Sequence, residues 1–158
     1  MAAMFAALVC IATLIIKVPS PLNGYINLGD CFVLLSGWLL SPMYAVLAAG
    51  IGSMLADLFA GYAIYAPATL IIKGIMAFLA FFFCKFVGVK TGDFLSKIFG
   101  GAVAEIFMVA GYFVFEGFLY GFVPSLVNIL PNAVQGAVGL LLALLLVKIF
   151  EKSKINLK

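Results

Sequence analysis

Long apolar runs, separated by short links rich in proline and glycine, decide what this chain can fold into. From Met1 to about Val18 the only charged side chain is Lys17. Further runs cover about residues 43–61, 66–87, 98–122 and 126–150, with a shorter one at about 28–40. A membrane helix needs ~20 apolar residues, so these runs would use nearly all of the 158 residues. Only 9% of the chain is charged, against about a quarter in a soluble domain. The expected fold is therefore an all-α membrane protein, six transmembrane helices in a single compact bundle forming one integral domain over 1–158.

Several chemistries are excluded by what is missing. The chain has no His, which removes His-based metal sites and Ser-His-Asp catalysis. Cys10, Cys31 and Cys84 stand singly in apolar stretches and form no CxxC pair, as expected of buried thiols. No glycine-rich loop leads into Lys-Ser or Lys-Thr, so ATP is not bound in the P-loop manner. Glu105 and Glu116 lie eleven residues apart on one helix, a rise of ~16 Å, too far for paired carboxylate catalysis. The chain is not expected to be an enzyme, and no cofactor, metal or nucleic acid is expected.

Lysines set the orientation, because arginine is absent. Lys85, Lys90 and Lys97 bracket the link between the fourth and fifth runs, and Lys148, Lys152, Lys154 and Lys158 mark the C-terminal end. The positive-inside rule puts both regions, and with six spans both termini, in the cytoplasm. Lys17 dissents. The link Pro19-Ser20-Pro21-Leu22-Asn23-Gly24 and the links at 62–65 and 123–125 then face outward. The second run is too short to span upright; it either extends into the preceding loop or sits in a thinned or protein-buried setting.

Charges inside spans are costly and by default mark a site or a pair. Here they are Asp30, Asp57, Lys73, Glu105 and Glu116. An N-cap role at the start of the second run explains Asp30. Lys73 lies about 10 Å, Glu116 about 9 Å and Asp57 about 6 Å from the outer helix ends. Glu105, Tyr112 and Glu116 share one face of the fifth helix, and Asn128, Asn132 and Gln135 share one face of the sixth. Amides facing lipid would be costly, so both stripes are expected to line an outward-open cavity together with Lys73. Lys73 either touches a ligand there or merely ties helices together by pairing with Asp57 or Glu116. Tyr25, Tyr62 and Tyr65 in the outer links are either a lid over that cavity or ordinary interfacial tyrosines.

Small residues recur at helical spacing on the third run, at Ala45, Ala48, Ala49, Gly52, Ser53, Ala56 and Ala60. This reads as a packing seam between helices. On the first run Ala2 with Ala6 and Ala3 with Ala7 offer the same spacing, as an internal seam or a docking face for another membrane subunit. No inverted repeat is readable, which speaks against a secondary-transporter architecture.

Three segments resemble the S components of energy-coupling-factor (ECF) transporters over about residues 1–80. They are Gly24-Tyr25-Ile26-Asn27-Leu28-Gly29-Asp30, Gly50-Ile51-Gly52-Ser53-Met54-Leu55-Ala56-Asp57, and Gly61-Tyr62 with Tyr65-Ala66-Pro67-Ala68-Thr69-Leu70-Ile71-Ile72-Lys73-Gly74. The resemblance implies a prokaryotic plasma-membrane subunit that binds a water-soluble vitamin near its outer face. Its partners would be a transmembrane T subunit and two cytoplasmic ATPases, as in an ECF-type ABC transporter. Family members carry an Ala-x-x-x-Ala signature in helix one that docks on the T subunit; Ala2, Ala3, Ala6 and Ala7 fit that place. The family pattern has a short basic lead before that helix, so either the lead is missing here or Met1 is a trimmed start. The site expected from stripes and resemblance together comprises Tyr25, Asn27, Lys73, Tyr112, Glu116, Asn128, Asn132 and Gln135. The expected cargo is of the pyridoxine or hydroxymethylpyrimidine type, then riboflavin or pantothenate. The rival readings are an autonomous ion-coupled carrier or channel using Asp57, Lys73 and Glu116, and a purely structural scaffold.

Overall fold

A computed structural model describes residues 1–22 and 24–152, with backbone alone at 89–91 and 151. Asn23, Lys154 and Lys158 lie outside the described residues, as does the side chain of Lys90. The first apolar run forms helix α1 (Ala2–Ile15), and the link after it folds into a small antiparallel hairpin of β1 (Val18–Pro19) and β2 (Tyr25–Ile26). Proline is tolerated in β1 because the ribbon has only two strands, each with a free edge. Helices α2 (Gly29–Leu39), α3 (Pro42–Ala60), α4 (Ala66–Thr91) and α5 (Asp93–Tyr120) follow. A short helix α6 (Phe122–Ser125) and a 3-10 turn (Leu126–Asn128) then lead into α7 (Ile129–Lys152).

Among the described residues, four stretches are long and apolar enough to cross a membrane: Pro42–Ala60, Ala66–Gly88, Asp93–Tyr120 and Phe122–Phe150. α1 and α2 are shorter apolar helices. With 11 residues, α2 is roughly 16 Å long, about half a bilayer core. It does not need to span by itself, because α1, α3, α4 and α7 all pack against it. Asp30, Cys31, Val33, Leu34, Leu35 and Ser36 are all buried there. Of the settings open to the second run, burial in protein is the one observed.

Two boundaries differ from the hydropathy reading. The polar segment Lys90-Thr91-Gly92-Asp93 is not an extended loop: α4 runs through Thr91 and α5 begins at Asp93. Gly92 alone makes the break, at φ 88°, a left-handed backbone that side chains with a Cβ resist. The last run does not start as one helix at residue 126, since α6 and the 3-10 turn precede it. Pro131 falls in the first turn of α7, where its missing N–H removes no helix bond.

The small-residue stripe of α3 does serve as a seam. Ala45, Ala48, Ala49, Gly52, Ser53 and Ala56 are buried, and α3 packs against α1 on one side and α4 on the other. A Cβ on Gly52 would lie 2.5 Å from the Ala6 carbonyl oxygen of α1, so only glycine allows this approach. Ala6 thus belongs to the internal seam. Ala3 and Ala7 are exposed on the far side of α1, and Ala2 is half-buried.

Asp30 does not cap α2. It lies in the helix's first turn, no side-chain cap bond is made there, and its carboxylate is turned into the protein. Lys73 pairs with neither Asp57 nor Glu116: its ammonium pairs with Asp30. A buried cation requires a buried anion at close range, and α2 delivers one from the centre of the helices.

Candidate functional site

The ends of α3, α4, α5 and α7 meet the hairpin at one end of the molecule and leave a narrow cleft with an enclosed space of about 40 Å³. Each element brings polar groups that its own geometry aims inward. Alternation from β2 into the residue that follows it puts Tyr25 and Asn27 on one side. Asp57 comes from the last turn of α3, and Thr69 from the first turns of α4. Tyr112 and Glu116, four residues apart on α5, share a face, as do Asn132 and Gln135 three apart on α7. All of these line the cleft, joined by Ser20, Tyr62 and Tyr65.

Hydrogen bonds tie the hairpin down over this space. The Tyr25 hydroxyl donates to Asp57 Oδ1 at 2.6 Å. Burial, reinforced by the neighbouring Asp57 carboxylate, pushes the Tyr25 phenol well above its ordinary pKa, so it stays protonated as the donor. The backbone N–H of Asn27 donates to Gln135 Oε1 at 2.9 Å, and its side-chain amide donates to the same oxygen at 3.2 Å. Tyr65 donates to the Leu22 carbonyl at 3.0 Å and to Glu116 Oε1 at 3.3 Å. Burial is also the main cause that raises the Tyr65 phenol, followed by its neighbours Tyr120 and Glu116. The Tyr25 and Tyr62 rings sit 4.8 Å apart, and Tyr65 meets Phe115 edge-on at 5.3 Å. Such pairs give rigid, flat walls.

Lys73 and Asn128, both expected on the cavity surface, are not among the residues that line it. They stand behind the wall. Lys73 pairs with Asp30, whose other oxygen accepts from Gln135 Nε2 at 2.6 Å. Its ammonium also lies 5.5 Å from the centre of the Tyr112 ring, in cation–π range. Asn128 donates to Glu116 Oε1 at 2.8 Å. Glu105 is buried away from the cleft, against Gly136. The structure therefore brings Tyr25, Asn27, Tyr112, Glu116, Asn132 and Gln135 together at the cleft and sets Lys73 and Asn128 as their supports.

Asp30 and Thr69 were missed as members of this cluster. Thr69 Oγ1 lies 3.0 Å from the Tyr112 hydroxyl. The signal for it was present: Tyr65, Thr69 and Lys73 recur every fourth residue, which is one helix face. Nothing local marks the partner of Asp30.

The model of the family described as "ECF-type riboflavin transporter, S component" matches residues 1–152. The chain belongs to this S component family. It is accordingly the substrate-binding subunit of a vitamin transporter and a multi-pass membrane protein. Among curated proteins, it is 31% identical over 135 residues to an "uncharacterized protein in gap 3'region" of Pyrococcus woesei, covering 85% of this chain and 88% of that protein. It is 28% identical over 138 residues to the thiamine precursor transporter HmpT of Lactococcus lactis subsp. cremoris (strain MG1363), covering 87% of this chain and 76% of HmpT. The solved S component of a bacterial ECF transporter matches with a TM-score of 0.75 at 21% identity, over 98% of this chain and 95% of that one. At that identity the likeness is one of fold.

Proposed function

We propose that the cleft beneath the hairpin captures a small water-soluble vitamin or vitamin precursor at the outer face of a prokaryotic plasma membrane, with both termini of the S component in the cytoplasm. In this reading the whole chain works as one membrane domain. A transmembrane T subunit and two cytoplasmic ATPases would supply the energy, the T subunit docking on α1 at Ala3 and Ala7. The observation that carries the reading is the convergence of polar side chains from five elements on one cleft, closed by the Tyr25–Asp57 hydrogen bond. The enclosed space is only about 40 Å³, well under the ~300–1,000 Å³ typical of ligand pockets, so cargo enters only as the hairpin yields, and a smaller cargo asks for less displacement. That favours a single-ring cargo, of the pyridoxine or hydroxymethylpyrimidine type, over riboflavin. The relationship to a thiamine precursor transporter supports the same choice, and pantothenate is the remaining alternative. Tyr25, Asn27, Tyr112, Glu116, Asn132 and Gln135 would contact the cargo, with Lys73 and Asn128 holding the wall.

The test is a thermal-shift screen of the purified chain against a vitamin panel, followed by uptake in liposomes with and without the energising subunits. A true ligand at 100 times its dissociation constant stabilises by ~2.7 kcal/mol. Asn132→Leu should weaken binding by roughly tenfold, the value of one hydrogen bond of about 1.5 kcal/mol, while still assembling with partners. Ion-driven accumulation by this chain alone would instead establish the autonomous carrier. Complete absence of binding, with every cleft substitution silent, would establish a scaffold.

A further inference from the structure

The charges around the cleft are unevenly placed. Its described wall carries two carboxylates, Asp57 and Glu116, and neither lysine nor arginine. The nearby cation, Lys73, is already matched by Asp30. Asp57 and Glu116 are only 5% and 2% exposed, and each uses one oxygen on protein donors, Tyr25 for Asp57 and Tyr65 with Asn128 for Glu116. The other oxygen of each, Asp57 Oδ2 and Glu116 Oε2, is buried without a hydrogen-bond partner in range, although the Thr69 hydroxyl stands close to the Asp57 carboxyl. A buried acceptor left unpaired is costly, more so when charged. Both are held in place by the bonds their sister oxygens make, so they are fixed acceptors waiting for donors. An anionic ligand would bring like charges together in a poorly hydrated space, whereas N–H donors or a cationic nitrogen would form charge-assisted bonds.

Resting on the vitamin-capture reading above, we propose that this cleft selects an amino-bearing or protonated nitrogen heterocycle, held by Asp57 and Glu116, and rejects carboxylated or phosphorylated cargo. Tyr25 and Tyr62 supply flat surfaces for the ring. The two free carboxylate oxygens receive its N–H groups. Pantothenate, which carries a carboxylate, is thereby removed from the cargo alternatives.

The experiment compares ligands that differ only in the head group, by calorimetry on the full purified chain. Pyridoxamine is set against pyridoxic acid, and hydroxymethylpyrimidine, an aminopyrimidine, against the analogue with a carboxylate in place of its amino group. The expected result is a preference of about tenfold or more for the amino member of at least one pair. In Asp57→Asn and Glu116→Gln chains that ratio should narrow, because an amide keeps the shape and removes the charge; a purely structural role would weaken both members alike. The unmodified chain decides the matter if those variants do not fold. Equal affinity within each pair, or preference for the acid, overturns the proposal and leaves vitamin capture standing. Silence from both pairs with tight binding of riboflavin or pantothenate also overturns it alone. Silence from every vitamin overturns the capture reading, and the proposal with it.

Discussion

Lys73 of α4 and Asp30 of α2 form an ion pair with almost no exposure to solvent, and Gln135 of α7 donates to the second oxygen of the same carboxylate. Three helices are therefore joined through one buried charge pair. Gln135 also accepts from Asn27 next to the hairpin, so the pair is linked by hydrogen bonds to the cleft wall. The mutual satisfaction of these groups explains how a lysine can sit deep among apolar helices. It also leaves the cleft without a free cation on its described wall.

Lys73→Met and Asp30→Asn, made singly, should each destabilise the chain by about 3–5 kcal/mol, since each strands a buried charge or leaves a cation uncompensated. The double variant Lys73→Met/Asp30→Leu should recover part of that loss, because two apolar groups need no partner and only the Gln135 amide loses its acceptor. Thermal unfolding in detergent measures all three. A double variant as unstable as the singles would show that the pair does not organise this junction.

Tyr25→Phe removes a hydrogen bond to a buried carboxylate, worth about 1.5–3 kcal/mol. The hairpin should then open more often, with faster amide hydrogen exchange in β2 and faster ligand release. Exchange at position 25 and Ile26 equal to that of the unmodified chain would mean that the Asn27–Gln135 and Tyr65–Leu22 bonds keep the hairpin closed without it.

Substitutions on the two faces of α1 should separate folding from coupling. Ala6→Leu drives a larger side chain into the approach between α1 and Gly52, which should cost about 1–3 kcal/mol of stability. Ala3→Leu with Ala7→Leu alters an exposed face and should leave stability and ligand binding intact while blocking uptake by the assembled transporter. Normal uptake by this double variant would remove α1 as the docking face.

Much of the architecture was legible in the chain. Hydropathy is a local property, so the apolar runs located the helices to within a few residues, apart from the break at Gly92 and the irregular entry through α6. Helical periodicity is local too, and it put Tyr112 with Glu116 and Asn132 with Gln135 on inward faces before any packing was known. The small-residue stripe of α3 announced a close contact in the same way. The hairpin was less legible: two prolines and an Asn-Gly mark a break in helix, but two-residue strands carry no periodicity to read.

The shortage of charge thus determined, from the chain alone, that this is a membrane protein and that its few internal charges matter. Only the tertiary structure decided which charges meet. Asp30 read as a helix cap because its sequence neighbours are a helix start, and Lys73 was matched with the acids nearest to it in membrane depth. Pairing between helices depends also on the direction each face points and on which helix lies in the middle. The short helix α2 sits between α1, α3, α4 and α7, and that placement turns Asp30 towards Lys73. No local pattern encodes it, because it is a sum over contacts between distant segments.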